Sequence, residues 1–111
     1  MEINRMTEGG ATVLALSGRL DSNTCGSLEE SLLGAIDAGA GAVVVDFADL
    51  AYVSSAGLRV LLMAAKRLRG SQGKLALCGL NANIREVFAM SGFDKILTIV
   101  PDRAGAVAAV A

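Results

Sequence analysis

The 111-residue sequence contains no histidine, no tryptophan, two cysteines, one proline and only 4% aromatic residues. Each shortage excludes something. Without histidine there is no Ser-His-Asp or Cys-His catalysis, no His-ligated zinc and no histidine phosphorelay. Scarce aromatics leave no stacking platform for single-stranded nucleic acid. Ten Lys plus Arg against eleven Asp plus Glu give a formal net charge of −1, not the basic footprint that phosphate backbones require. Cys25 and Cys78 are far apart, form no Cys-x-x-Cys pair and have small or apolar neighbours, so both read as core thiols in a reducing compartment. No apolar run approaches the ~20 residues of a membrane helix; Ala38 to Val45 is broken by Gly39 and Gly41. Met1-Glu2-Ile3-Asn4-Arg5 carries an early acid and does not read as a signal peptide. The expectation is a soluble cytoplasmic protein with no nucleic-acid or membrane partner.

What is present is apolar. The hydrophobic fraction is 53% and the mean hydropathy +0.54, far from disordered composition. One domain over residues 1–111 is the natural expectation, burying roughly 60–70% of its unfolded surface. Glu2 to Met6 and Ala11 to Leu16 alternate around Glu8-Gly9-Gly10 and predict an N-terminal hairpin with a loose turn. Asp21-Ser22-Asn23-Thr24 is rich in capping residues, and Leu28, Leu32 and Ile36 repeat at i, i+4, i+8, predicting a helix that Gly39 and Gly41 end. Ala42 to Phe47 is a continuous β-branched run, as in a strand covered on both faces.

A second amphipathic helix is expected from Leu58, with Leu58, Leu61, Leu62, Ala65 and Leu68 inward and Arg59, Lys66 and Arg69 outward, ending at Gly70. The basic run Lys66-Arg67-Leu68-Arg69 reads as a solvated helix face. Lys74 to Cys78 predicts a strand, and Asn81 or Asn83 a cap for a helix carrying Ile84, Val87, Phe88 and Met90 inward. Ile96 to Val100 predicts the last strand, and Pro101 opens a final helix through Ala111 whose end frays. The order β-β-α-β-α-β-α-β-α implies an α/β fold: a mixed sheet, with an N-terminal hairpin and parallel inner strands, covered by about four helices.

Chemistry is concentrated between Asp46 and Leu62. A buried strand leads to Ser54-Ser55-Ala56-Gly57 at a helix start, and helix N-termini at the carboxyl ends of strands gather function in such sheets. A serine there serves as a cap, an anion-site residue or a modification site, and the residues alone leave these open. Asp46 reads as the anchor of a turn at the strand end. No Gly-x-Ser-x-Gly elbow, Walker loop or dinucleotide fingerprint occurs. Asp21, Asp46 and Asp49 follow different strands, as in a phosphoacceptor pocket, but contain no consecutive acidic pair.

The segment Val44-Val45-Asp46-Phe47-Ala48-Asp49-Leu50-Ala51-Tyr52-Val53-Ser54-Ser55-Ala56-Gly57-Leu58-Arg59-Val60-Leu61-Leu62 resembles the signature of STAS domains, and more narrowly that of bacterial anti-sigma factor antagonists. Gly18-Arg19-Leu20-Asp21, Gly79-Leu80-Asn81, Ile84-Arg85-Glu86-Val87-Phe88 and Ser91-Gly92-Phe93 match further landmarks of that family in order, so the likeness spans nearly the whole chain. Gly57 pins the register of the family's Asp-Ser-Ser/Thr-Gly-Leu pattern. The phosphoacceptor then maps to Ser55, with Ser54 where Asp is usual and Ala56 in place of the second hydroxyl.

The resemblance implies partner switching without catalysis by this chain and without a cofactor. The unphosphorylated form binds an anti-sigma factor that is also a serine kinase and so releases a sigma factor. Phosphorylation at Ser55 ends the contact, and a PP2C-type phosphatase restores it. The implied partner surface comprises Gly18, Arg19, Leu20, Asp21, Asn23, Ser54, Ser55, Ala56, Gly57 and Leu58, with Arg59 and Tyr52 at its rim; the alternative for Leu58 is a place wholly in the core. The expected state is a monomer or weak dimer. The alternative function is a STAS interaction subunit of a transporter or signalling scaffold that is never phosphorylated, with Ser54 and Ser55 as caps.

Overall fold

The computed structural model describes residues 1–111. Strands β1 (Glu2–Glu8) and β2 (Ala11–Leu20) form an antiparallel hairpin paired Glu8 to Ala11. Its turn is tight rather than loose: Gly9 and Gly10 have φ of +55° and +83°, the pair of positive angles that matches strand twist in a two-residue turn. Helix α1 (Cys25–Asp37), strand β3 (Ala42–Val53), helix α2 (Ser55–Gly70), strand β4 (Lys74–Cys78), helix α3 (Ala82–Ser91), a 3-10 turn (Phe93–Lys95), strand β5 (Thr98–Val100) and helix α4 (Arg103–Ala109) follow. The sheet order is β1-β2-β3-β4-β5, with every pair after the hairpin parallel. This is the expected mixed α/β sheet with four α-helices.

Side-chain alternation along the strands sorts the core into two. Leu14, Leu16, Val43, Val45, Phe47, Leu75 and Leu77 point to one face, where they meet Leu28 and Leu32 of α1, Leu58, Leu61, Ala64 and Leu68 of α2, and Ile84 and Phe88 of α3. Phe47 and Phe88 pack edge to face, with ring centres 6.1 Å apart. The intervening positions Val13, Val44, Ala76 and Cys78 point to the other face and meet Ala106 and Val107 of α4 and Val110 at its end. Small side chains there let a seven-residue helix lie close to the sheet.

Four boundaries differ from those expected, each for a local reason. β3 continues past Phe47 to Val53, because its pairing with β2 resumes at Asp49 and runs to Val53 after a register shift at Asp46, whose carboxylate accepts the Ala48 amide (2.9 Å). That bulge breaks the alternation that marks a strand in sequence. α2 begins at Ser55, one turn before Leu58, because Ser54 caps it. Gly92 adopts the left-handed conformation (φ +77°) and leads into the 3-10 turn, so β5 keeps only Thr98–Val100 and Ile96 lies outside it, half exposed. Asp102 rather than Pro101 opens α4, accepting the Gly105 amide at 2.7 Å, and Val110 at its end is buried rather than frayed. Met90, expected inward on α3, is 82% exposed; the helix buries only Ile84 and Phe88.

Candidate functional site

The parallel ends of β2 and β3 set the site. Arg19 pairs with Tyr52 and Leu20 with Val53, and the Ser54 amide donates to the Leu20 carbonyl (2.8 Å). This last bond joins the start of α2 to the end of β2, so Gly18–Asp21 and Ser54–Leu58, distant in sequence, become neighbours. Leu20 then packs against the first turn of α2. A Cβ on Gly57 would lie 2.6 Å from Leu20 Cγ and 3.2 Å from Val53 Cγ2. Gly57 is thus the residue that lets the helix start sit directly on the strand ends, a packing constraint that the motif's glycine encodes.

The two serines have different occupations. Ser54 is extended (φ −97°, ψ 170°) and half-buried, and its Oγ accepts the Gly57 amide at 3.3 Å as the N-cap of α2. An aspartate could make the same bond, so the serine keeps the capping function of the position. Ser55, the first helical residue, is exposed and its hydroxyl makes no hydrogen bond to the protein. Around it lie the amides of a helix first turn, which have no intrahelical acceptor and sit at the positive end of the helix dipole. Of the two hydroxyls, only that of Ser55 is presented to solvent without a structural task.

The flanking turn is rigid. The Thr24 hydroxyl accepts the Asp21 amide (2.9 Å) and donates to the Arg19 carbonyl (2.8 Å), while the Asp21 carboxylate accepts the Asn23 amide (2.9 Å). Thr24 therefore folds the β2–α1 turn instead of capping α1 with its side chain. The Arg19 guanidinium stacks over the Tyr52 ring, 4.2 Å from its centre, which places both on one exposed rim. Thr24 was not singled out by sequence; its only signal was membership of a run of capping residues.

The surface implied by the sequence is therefore part skin and part support. Arg19, Asn23 and Ser55 are exposed, and Asp21, Ser54 and Ala56 partly so, with Gly18 held at φ +94° beside Met1. Leu20, Gly57 and Leu58 are buried in the core, so they shape the surface from beneath and offer no side chain to a partner. Cys25, expected in the core, is half-buried and lines a shallow groove of about 420 Å³ between α1 and α2 with Glu29, Ala56, Arg59, Val60 and Met63.

Asp21, Asp46 and Asp49 form no metal-binding cluster. Asp46 lies on the α4 face, 7% exposed, and its second oxygen accepts Arg103 Nε at 2.9 Å. Arg103 also approaches Glu8 (3.8 Å) and donates to Met6 Sδ (3.2 Å), so one guanidinium ties α4 to β1 and β3. Asp46 keeps its guanidinium above the ordinary arginine range mainly through their hydrogen bond. Beside them the Cys78 thiol is pushed up to about 12, first by burial and then by the Asp46 charge. This cluster fastens a helix; its cysteine stays a neutral thiol. No group of three His, Cys, Asp or Glu side chains is placed to hold a metal ion, and no helix is long and apolar enough to cross a membrane.

Comparison with known proteins gives this geometry its family. Residues 3–101 match the family model described as Mlab, STAS domain. The chain is 44% identical over 100 residues to a Bordetella bronchiseptica protein provisionally named as the anti-sigma factor antagonist BtrV, covering 90% of this chain and 86% of that one. It is 31% identical over 85 residues to the anti-sigma-B factor antagonist of Listeria monocytogenes, covering 76% and 74%. In fold it is similar to the crystal structure of an anti-sigma factor antagonist from Mycobacterium paratuberculosis, with a TM-score of 0.91, 23% identity and coverage of 98% and 92%. The chain belongs to the STAS-domain family of anti-sigma factor antagonists.

Proposed function

We propose that the protein is a partner switch operated at Ser55. Its family is one of regulators and not of enzymes, so it acts by binding. In the unphosphorylated state the rim of Arg19, Asp21, Asn23, Ser54, Ser55 and Ala56 engages an anti-sigma factor that is also a serine kinase, and a sigma factor is released. The kinase transfers the γ-phosphoryl group of ATP to Ser55 Oγ; the hydroxyl proton leaves and ADP is the second product. A PP2C-type phosphatase hydrolyses the ester with water and returns the serine.

The observation that carries this reading is the division of labour between the serines: Ser54 Oγ is committed to the Gly57 amide, while Ser55 Oγ is exposed and uncommitted. A phosphate adds about −1.5 to −2 charges at neutral pH. At the first turn of α2 that charge is favoured by the helix dipole, so the fold tolerates it. The partner does not, since a dianion must be desolvated or meets like charge across the interface.

The test is incubation with the cognate anti-sigma kinase and ATP, read by intact mass. One phosphate is expected on the parent and on Ser54→Ala, and none on Ser55→Ala. Equal labelling of Ser55→Ala would remove Ser55 as the acceptor. Full function of Ser55→Ala and Ser55→Glu in the cell would instead favour the unphosphorylated scaffold or transporter subunit.

A further inference from the structure

The charged groups near the start of α2 include Arg19 and Asp21 at the end of β2, which meets that helix start, and Glu29 of α1 and Arg59 of α2, which line one groove with Ala56. Arg19 is occupied by the Tyr52 ring. Asp21 accepts the Asn23 amide. Elsewhere Arg67 is paired with Asp37 at 3.1 Å and Arg103 with Asp46, while Lys66 and Arg69 lie two turns or more further along α2. Arg59 differs from all of these. It is exposed, takes part in none of the three ion pairs, and shares its groove with Glu29 without bonding to it. It also stands four residues after Ser55 in the same helix, the spacing that brings side chains one above the other.

We infer that Arg59 reads the modification: a phosphate on Ser55 draws the Arg59 guanidinium into an i, i+4 ion pair and withdraws that cation from the face offered to a partner. The inference rests on Ser55 being the modified residue. The polarity is the favourable one, with the anion nearer the helix N-terminus and the cation toward the C-terminus. Guanidinium and phosphate pair through two parallel N–H···O bonds, and no existing bond of Arg59 must break. The consequence is larger than one added charge. The unmodified face shows a free cation at Arg59; the modified face shows the remainder of a dianion already bonded to it. A partner carboxylate that used Arg59 loses its ligand and meets a negative group in its place.

The test uses full-length protein with phosphoserine installed at position 55 during synthesis, so it does not depend on any kinase. The second ionisation of the phosphate, ordinarily near pH 6, is followed by 31P NMR. The pair holds that ionisation below its ordinary value. Arg59→Gln is expected to raise it by about 0.5 pH unit, Arg59→Lys to restore part of the shift, and Arg69→Gln to leave it unchanged. Because Arg59 is exposed, the variants fold. If Arg59→Gln and Arg69→Gln both titrate like the parent, the inference is wrong. If a kinase adds no phosphate to Ser55 yet the titration shows the shift, the partner-switch reading fails while the Arg59 pairing stands.

Discussion

The two polar clusters of this molecule, on either side of the same sheet, use charge in opposite ways. Beneath α4, Asp46 is buried, and each of its oxygens has a partner, the Ala48 amide and Arg103 Nε. At the start of α2, backbone bonds hold Ser54 and Leu20 together, and the residue between cap and core, Ser55, has a hydroxyl that bonds to nothing in the protein. The acid at the centre of the first cluster is buried and has no oxygen left for a partner. The second is rigid in its backbone and open in its side chains, which is the arrangement a switch needs: a fixed frame and one group whose chemistry can change. An acid by itself is thus a poorer guide to function than a polar group left unsatisfied on a rigid support.

Mutations that separate the two clusters test the contrast. Asp46→Ala leaves Arg103 and the Ala48 amide without their acceptor, and is expected to lower unfolding free energy by about 2–3 kcal/mol in urea denaturation, less than a wholly buried pair because Arg103 is a third exposed. Labelling of Ser55 in the surviving folded fraction should be unchanged; loss of labelling would mean the clusters are coupled. Gly57→Ala puts a methyl 2.6 Å from Leu20 Cγ and is expected to cost about 1–3 kcal/mol and to weaken anti-sigma factor binding as the first turn of α2 lifts. Normal stability with normal binding would show that the strand ends yield freely.

Stability should also fall on the alkaline side. The Cys78 thiol ionises near 12 in the folded chain against 9.0 when free, so the unfolded state releases its proton first. The contribution is complete below pH 9 and is lost as pH rises toward 12, about 1 kcal/mol by pH 10. Cys78→Ala should flatten that decline in a pH series of thermal melts. At the site, Ser54→Ala removes the cap of α2 and is expected to cost about 1 kcal/mol. Ser55→Ala should change stability by less than about 0.5 kcal/mol while abolishing phosphorylation. Equal destabilisation by the two substitutions would erase the distinction between cap and switch.

Much of this was legible in the sequence, and the exceptions share a cause. Helical stripes are local and periodic: Leu28, Leu32, Leu58, Leu61 and Leu68 are buried as read, while Leu62 and Ala65 are half-buried and Val60 and Ala64 take core positions beside them. The far half of β3 was hidden because Asp46 bends its own backbone at Ala48 and breaks the alternation. Met90 lies off the inward face because the ten-residue α3 buries one narrow stripe, Ile84 and Phe88. The site's backbone frame is only half visible: Gly57 marks it and the helical stripe includes Leu58, but the burial of Leu20 depends on β2 meeting α2, a contact between segments more than thirty residues apart. The Asp46–Arg103 pair spans 57 residues and left no trace in any motif.

The proposed switch is one hydroxyl, that of Ser55, on an unchanged frame. Isothermal titration of the cognate anti-sigma factor with the unmodified chain and with the chain carrying phosphoserine at position 55, each checked by amide NMR, tests it most directly. Binding is expected to be at least about tenfold weaker for the phosphorylated chain, with amide shifts confined to the first turn of α2 and the β2–α1 turn. Equal affinity of the two forms, or amide shifts spread through the sheet, would contradict it.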